Sequence, residues 1–345
     1  VVITITGAAG MLGSRLVERL LAEGHQVRGV DLRPGPGVEF TGDIRDRALM
    51  DRALDGADVL IHAAAALPSY PDELIRSIIV GGTENVFAAA EAAGTRRVVH
   101  ISSTAVYGLP TVVPTPEEYP REPVDTYSRA KAAAEEVAER YRATGVCVPI
   151  LRPKTFVGPG RMGLFSMLFE WAEEGRNFPV LGKGNVRIQM FAVDDLVDAV
   201  VTVLAASDEV ANDTYNLAAA EFGTLREDFQ AVLDAAGHGK RVIGLPARPA
   251  LAVLSVLQRL RLSPVYGRLL HKLMDDSYVS IDKAKARLGF TPRHSNAEAV
   301  LRTYDWWRTA RHTAPPESAG GRATSGRTSR DPWKQGLLSA AKIFF

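Results

Sequence analysis

Glycines at positions 7, 10 and 13 separate a β-branched run, residues 1–6, from a segment in which Leu12, Leu16, Leu20 and Leu21 recur at helical spacing. A strand that turns through glycines straight into a helix opens a βαβ unit, and that commits the chain to a parallel sheet. Each glycine has its own reason. Gly7 lets the backbone turn tightly, Gly10 permits close approach of a pyrophosphate, and Gly13 lets the helix lie on the sheet with its N-terminus toward the phosphates. Met11 and Leu12, between the last two, belong to the same cradle.

The rhythm continues. Residues 26–31, 58–62, 97–102 and 146–151 read as strands. Residues 46–54, 84–93 and 127–144 read as helices, and Gly24 and Gly94 close two of the helical runs. The expected fold is α/β, a Rossmann-type doubly wound parallel sheet. After residue 155 the alternation changes: helices over 164–174 and 193–206, a short strand over 214–217, and an apolar run within 249–262. We expect a dinucleotide-binding domain over 1–155, with 186–217 returning to it. A smaller, mostly helical substrate-binding lid is expected over 156–185 and 218–312. Residues 313–330, rich in Gly, Ser, Thr, Pro and Arg, read as a flexible linker. Residues 331–345 read as an amphipathic tail suited to a membrane surface or a partner. From 313 onward five basic side chains oppose two acidic ones, a net of +3.

Composition excludes several classes. The net charge is +1, so no global field favours a nucleic acid. Cys147 is the one cysteine, so no intrachain disulfide forms, and no metal site is expected. There is no run of about 18 apolar residues. The chain opens on an apolar strand without signal-peptide character, and a cytoplasmic location is expected.

Two carboxylates and one helix face carry the chemistry. Asp31 ends the second strand, 21 residues after Gly10, where a carboxylate accepts from a ribose hydroxyl. Its charge repels a 2′-phosphate, so NAD is favoured over NADP, although Arg33 lies two residues on. Asp43 and Ile44 follow a short third strand, where the carboxylate can accept from an adenine amino group while Ile44 covers the ring; the other reading is that Asp43 or Asp46 caps the next helix. Tyr127 and Lys131 are spaced i, i+4 and share a helix face. A phenol ionises at about pH 10 unaided. A neighbouring ammonium stabilises the phenolate, which can then take the proton of a substrate alcohol. The segment Ser102–Ser103–Thr104–Ala105–Val106–Tyr107–Gly108 ends a strand and offers a hydroxyl to hold the alcohol oxygen.

These segments together resemble the extended short-chain dehydrogenase/reductases, the NAD-dependent epimerase/dehydratase family. They run in that family's order over residues 1 to about 310 and include Gly42-Asp43-Ile44, His62-Ala63-Ala64-Ala65, Leu151-Arg152-Pro153, Val193-Asp194-Asp195-Leu196 and Ala286-Arg287-Leu288-Gly289-Phe290. The resemblance implies a catalytic triad of Ser103, Tyr127 and Lys131. It also implies Lys131 on the nicotinamide ribose, Ala63 and Ala64 against the cofactor, and Pro153 beginning the segment that lines the nicotinamide. It further implies a homodimer through the helices starting near Glu84 and Tyr127.

Departures from the family pattern narrow the expected activity. Dehydratases of the family carry Asp-Glu directly after the catalytic hydroxyl; here Thr104 and Ala105 stand there. Nucleotide-sugar epimerases place polar groups where this chain has Thr155, Ile188, Ala192 and Ile79, with Arg187 one residue off register. A diphosphate needs several such donors. The expected function is NAD-dependent hydride transfer at a secondary alcohol or ketone of a bulky, partly apolar small molecule. This resembles the 3β-hydroxysteroid dehydrogenase branch. Met162, Leu164, Phe165, Met167, Leu168, Phe169 and Trp171 are expected to present an apolar lid, and 249–262 an apolar entrance. A sugar or nucleotide-sugar epimerase, using transient oxidation by tightly bound NAD, is the alternative, and a non-catalytic NAD-binding sensor or scaffold is a third reading. Thr104, Thr155, Arg187 and Gln189 are the candidate substrate contacts, and Lys154 a further one for a phosphate.

Overall fold

The computed structural model describes residues 1–160, 165–247, 249 and 274–313. The apolar run at 249–262, Met162, Leu164, the linker and the amphipathic tail fall essentially outside the described residues.

The chain begins β1 (Val2–Thr6), α1 (Met11–Ala22), β2 (Gln26–Asp31), β3 (Val38–Thr41), α2 (Arg47–Leu54) and β4 (Val59–His62). Next, α3 (Asp72–Arg76) runs through a π turn at Ser77–Gly81 into α4 (Gly82–Ala92). Then come β5 (Arg97–Ile101), α5 (Thr126–Ala143), β6 (Ile150–Pro153) and β7 (Phe156–Val157). The remainder is α6 (Phe165–Glu173), β8 (Phe178–Leu181), β9 (Phe191–Ala192), α7 (Val193–Ala205), α8 (Asp208–Ala211), β10 (Thr214–Leu217), α9 (Leu225–Ala236), β11 (Val242–Leu245), α10 (Asp282–Leu288) and α11 (Asn296–Thr313).

Seven strands form one sheet in the order β10-β6-β5-β4-β1-β2-β3, every pairing parallel. The order reverses between β1 and β4, and a crevice opens there at the carboxyl ends of the strands. Both faces are covered, which explains why β1 buries Ile3, Thr4, Ile5 and Thr6 without alternation. On one face Leu12, Leu16 and Leu20 of α1 meet Leu196, Val200 and Val203 of α7. On the other, Met50, Val86, Phe87 and Val137 join α2, α4 and α5 to the sheet.

Two expectations change. The strand read over 146–151 becomes regular only at Ile150; Cys147 makes an isolated bridge to Arg97. Pro149 has no N–H to continue the ladder. The region after 155 is mostly helical, as expected, with two short parallel pairs added, β8 with β11 and β7 with β9. Finally, Leu168, Phe169 and Trp171 of α6 do not form an open apolar lid. They are buried in a second core with Phe229, Val232, Tyr304 and Trp307. The apolar face of α6 is consumed by α9 and α11. Among the described residues no helix is long and apolar enough to cross a membrane.

Candidate active site

The turn after β1 is tied to the neighbouring strand: the amides of Gly7 and Ala8 both donate to the Val30 carbonyl, at 2.8 and 3.2 Å. Gly7 has φ of 76°, and a Cβ there would sit 2.9 Å from the Ala64 nitrogen. A Cβ on Gly13 would lie 2.1 Å from the Gly7 carbonyl oxygen, so α1 rests directly on the turn. Gly10 caps α1 without a side chain, which leaves the first amides of the helix open to an anion. That cradle fits a pyrophosphate.

Asp31, at the tip of β2, accepts from the amides of Ala9 and Arg33, each at 3.0 Å. Those bonds aim the carboxylate at the crevice. Arg33 Nε stands 3.9 Å away. Asp31→Ser is expected to raise NADP affinity relative to NAD by about tenfold to a hundredfold, the worth of a hydrogen bond to a charged group. Titration with NADH and NADPH reads the ratio, and an unchanged ratio would remove Asp31 from cofactor selection. Asp43 is gripped by Arg45 through its backbone amide and guanidinium, and those side-chain bonds hold its carboxyl below the usual range. It remains an acceptor.

The other end of the crevice is built by α5. Asp125 and Ser128 form a reciprocal capping box, so the helix start is fixed two residues before Tyr127. Lys131, one turn on, is 5% exposed and donates to the Ile101 carbonyl at 2.9 Å. Burial pushes its ammonium down to about 8, against the pull of Glu135. Ser103 follows β5 in extended conformation, and its Oγ accepts from the Ala105 amide at 3.2 Å, capping a 3-10 turn at Thr104–Tyr107. The bond uses an oxygen lone pair and leaves the O–H to donate elsewhere.

One cavity of about 370 Å³ joins both ends. Ser103, Tyr127 and Lys131 line it, as do Gly7, Gly10, Met11, Leu12, Gly13, Asp31, Asp43, Ile44, Ala63, Ala64 and Pro153. Of the substrate candidates, Thr104 and Thr155 line it too. The other two are placed elsewhere. Gln189 is 2% exposed, and its amide is committed to the Ala219 carbonyl and the Val279 amide. Arg187 stacks on the rings of Phe222 and Tyr278. The loop after β4 supplies Leu67, Pro68 and Tyr70, which sequence reasoning missed. The signal for them was positional, since ligands in such sheets bind beyond the carboxyl ends of strands. His62 and His100 lie beneath the cavity. Burial holds both neutral, His100 at about 3.

The model of the NAD-dependent epimerase/dehydratase family matches residues 3–218. The chain belongs to that family. It is thus an NAD-dependent enzyme of the extended short-chain dehydrogenase/reductase type, in a family whose activities diverge among relatives. A 3β-hydroxysteroid dehydrogenase/Δ5→4-isomerase of Mycobacterium tuberculosis is 30% identical, over 86% of this chain and 88% of that protein. A UDP-glucose 4-epimerase of Mycolicibacterium smegmatis is 29% identical, over 88% and 97%. The solved dTDP-glucose 4,6-dehydratase DesIV of Streptomyces venezuelae, with NAD and TYD bound, is 27% identical with a TM-score of 0.72, covering 90% of this chain and 98% of that one.

Proposed function

We propose that this member of the family is a dehydrogenase or reductase acting reversibly at a secondary alcohol or ketone of a bulky, partly apolar substrate. The observation that carries the reading is the lining beyond Ser103 and Tyr127. Leu67, Pro68, Ile78 and Phe156 face the same cavity, and no carboxylate stands at 104 or 105 to drive an elimination. In the proposed reaction Ser103 donates to the substrate oxygen. Tyr127 takes the hydroxyl proton during oxidation and returns it during reduction. Lys131 supplies the positive charge that stabilises the phenolate and holds the nicotinamide ribose. Gly7 to Gly13 and Asp31 hold the pyrophosphate and adenosine ribose. Bound NAD supplies the hydride acceptor.

One observation favours an epimerase instead. Lys154 lines the cavity with an ammonium, donating to Ser277 Oγ at 2.8 Å, and an ammonium suits a phosphate. The two readings differ in how the cofactor is kept. An epimerase recycles its cofactor within one active site; a dehydrogenase exchanges it. Denaturing the untreated purified protein and quantifying released nicotinamide nucleotide by mass spectrometry separates them. The expected result is an empty protein that binds added NAD reversibly. Near-stoichiometric NAD or NADH would reverse the choice in favour of the epimerase.

A further inference from the structure

Beneath Lys131 lies a charged side chain that the proposed reaction does not use. Glu135 is one helical turn beyond Lys131 on α5, and its side chain is wholly buried. A carboxylate without water needs partners. Glu135 has four donors: Ser102 Oγ, Arg152 Nε at 2.9 Å, Arg152 Nη2 at 2.7 Å, and Arg121 Nη1 at 3.3 Å. Arg152 comes from β6 and also donates to the Tyr107 hydroxyl at 2.8 Å, which in turn donates to Asn216.

The register is informative. Lys131 holds the carbonyl of Ile101 and Glu135 holds the hydroxyl of Ser102. Two side chains one turn apart on α5 therefore grip two consecutive residues at the end of β5. The next residue is Ser103. The helix that carries Tyr127 is thus pinned to the strand end that carries Ser103, at a point directly before it.

We propose that Glu135 is the positioning residue of this site, clamping the Ser102–Ser103 strand end to α5 and keeping Lys131 protonated from behind. The proposal rests on the reading that Lys131 holds the nicotinamide ribose. Other charged and titratable groups around Lys131 are few. On its own helix it faces Tyr127 and Glu135. From β5 and β4 it meets His100 and His62, both kept neutral by burial. Arg152 of β6 and Arg121 of the preceding loop reach it through Glu135. The carboxylate is thus the nearby counter-charge. Removing it lowers the pH at which Lys131 gives up its proton, and freeing it from a cation raises that pH.

The test uses the full chain and NADH as the probe, with affinity measured by nucleotide fluorescence from neutral to alkaline pH. Wild-type affinity is expected to fall as Lys131 deprotonates, around its value of about 8. In Glu135→Gln the fall moves to lower pH by about one unit; in Arg152→Gln it moves up. A purely structural role predicts weaker binding at every pH with an unmoved midpoint, and that result would overturn the proposal. So would a wild-type affinity that is flat across the range. Arg121→Gln, at the partly exposed edge of the cluster, should shift the midpoint in the same direction as Arg152→Gln but less. It keeps the test open if a buried variant fails to fold. A wild-type chain that binds no NADH at any pH would instead overturn the reading of the site itself.

Discussion

Tyr127→Phe is expected to reduce turnover by about 10²- to 10⁴-fold, the usual worth of a positioned general acid–base group, while NADH binding stays at the wild-type level. The substitution removes one oxygen and keeps the ring. That ring packs at the edge of a cluster formed by Ile75, Ile79, Ala130 and Ala134, so the helix has no reason to move. Its neighbours keep their poses as well. Lys131 is anchored to the Ile101 carbonyl and Ser103 to the Ala105 amide. The loss should therefore fall on the chemical step. The assay is NADH formation with hydrophobic secondary alcohols, paired with fluorescence titration of NADH. Near-normal turnover would mean that another group moves the proton and would remove the triad assignment. Loss of NADH binding in step with turnover would mean that Tyr127 serves the cofactor rather than the substrate.

The expected site residues that line the cavity and those that lie outside its lining differ in a physical way. The glycines, Asp31, Tyr127 and Lys131 are set by local rules: a turn that tolerates no Cβ, a strand end, a helix spacing. Such rules operate within a few residues and leave a mark in the sequence. Gln189 and Arg187 are set by contacts with Val279, Ala219, Phe222 and Tyr278, all at least 30 positions away. A polar residue near a motif reads the same whether it faces a ligand or a distant backbone amide. The same holds for α6. Its apolar face is legible from periodicity, but periodicity does not say that Phe229 and Tyr304 will cover it. Glu135 was invisible for the opposite reason. At i+4 from Lys131 it looks like an ordinary helix-surface pair, and only the sheet packing makes it buried and ties it to Arg152, 17 residues on. The parallel pairing of β8 with β11 joins Phe178 to Val242 across three intervening helices and two strands, which no local pattern announces.

Gly13→Ala should be the most damaging single-methyl change in the cradle. The added Cβ would lie 2.1 Å from the Gly7 oxygen and 2.8 Å from the Ala8 Cα. Both contacts are backbone, so no side chain can rotate away. Either α1 lifts from the turn or the turn opens. Lifting α1 pulls Leu12 and Leu16 from their contacts with the sheet and α7, and overpacking of this kind costs about 1–3 kcal/mol. Opening the turn breaks the bonds from Gly7 and Ala8 to the Val30 carbonyl and misaims the amides that face the phosphates. Losing one or two charge-assisted bonds to a pyrophosphate weakens binding by about tenfold to a thousandfold. Gly10→Ala provides the graded comparison, because its Cβ would meet the same oxygen at 2.9 Å, a much smaller overlap. The expected order of NADH affinity is wild type, then Gly10→Ala, then Gly13→Ala, with the melting temperature lowest in the last. If Gly13→Ala bound NADH as tightly as wild type, the helix would not need to rest on the turn. The phosphates would then have to be held by something other than the start of α1. If it lost stability but kept affinity, Gly13 would matter for packing alone, and the cradle would reduce to Gly7 and Gly10.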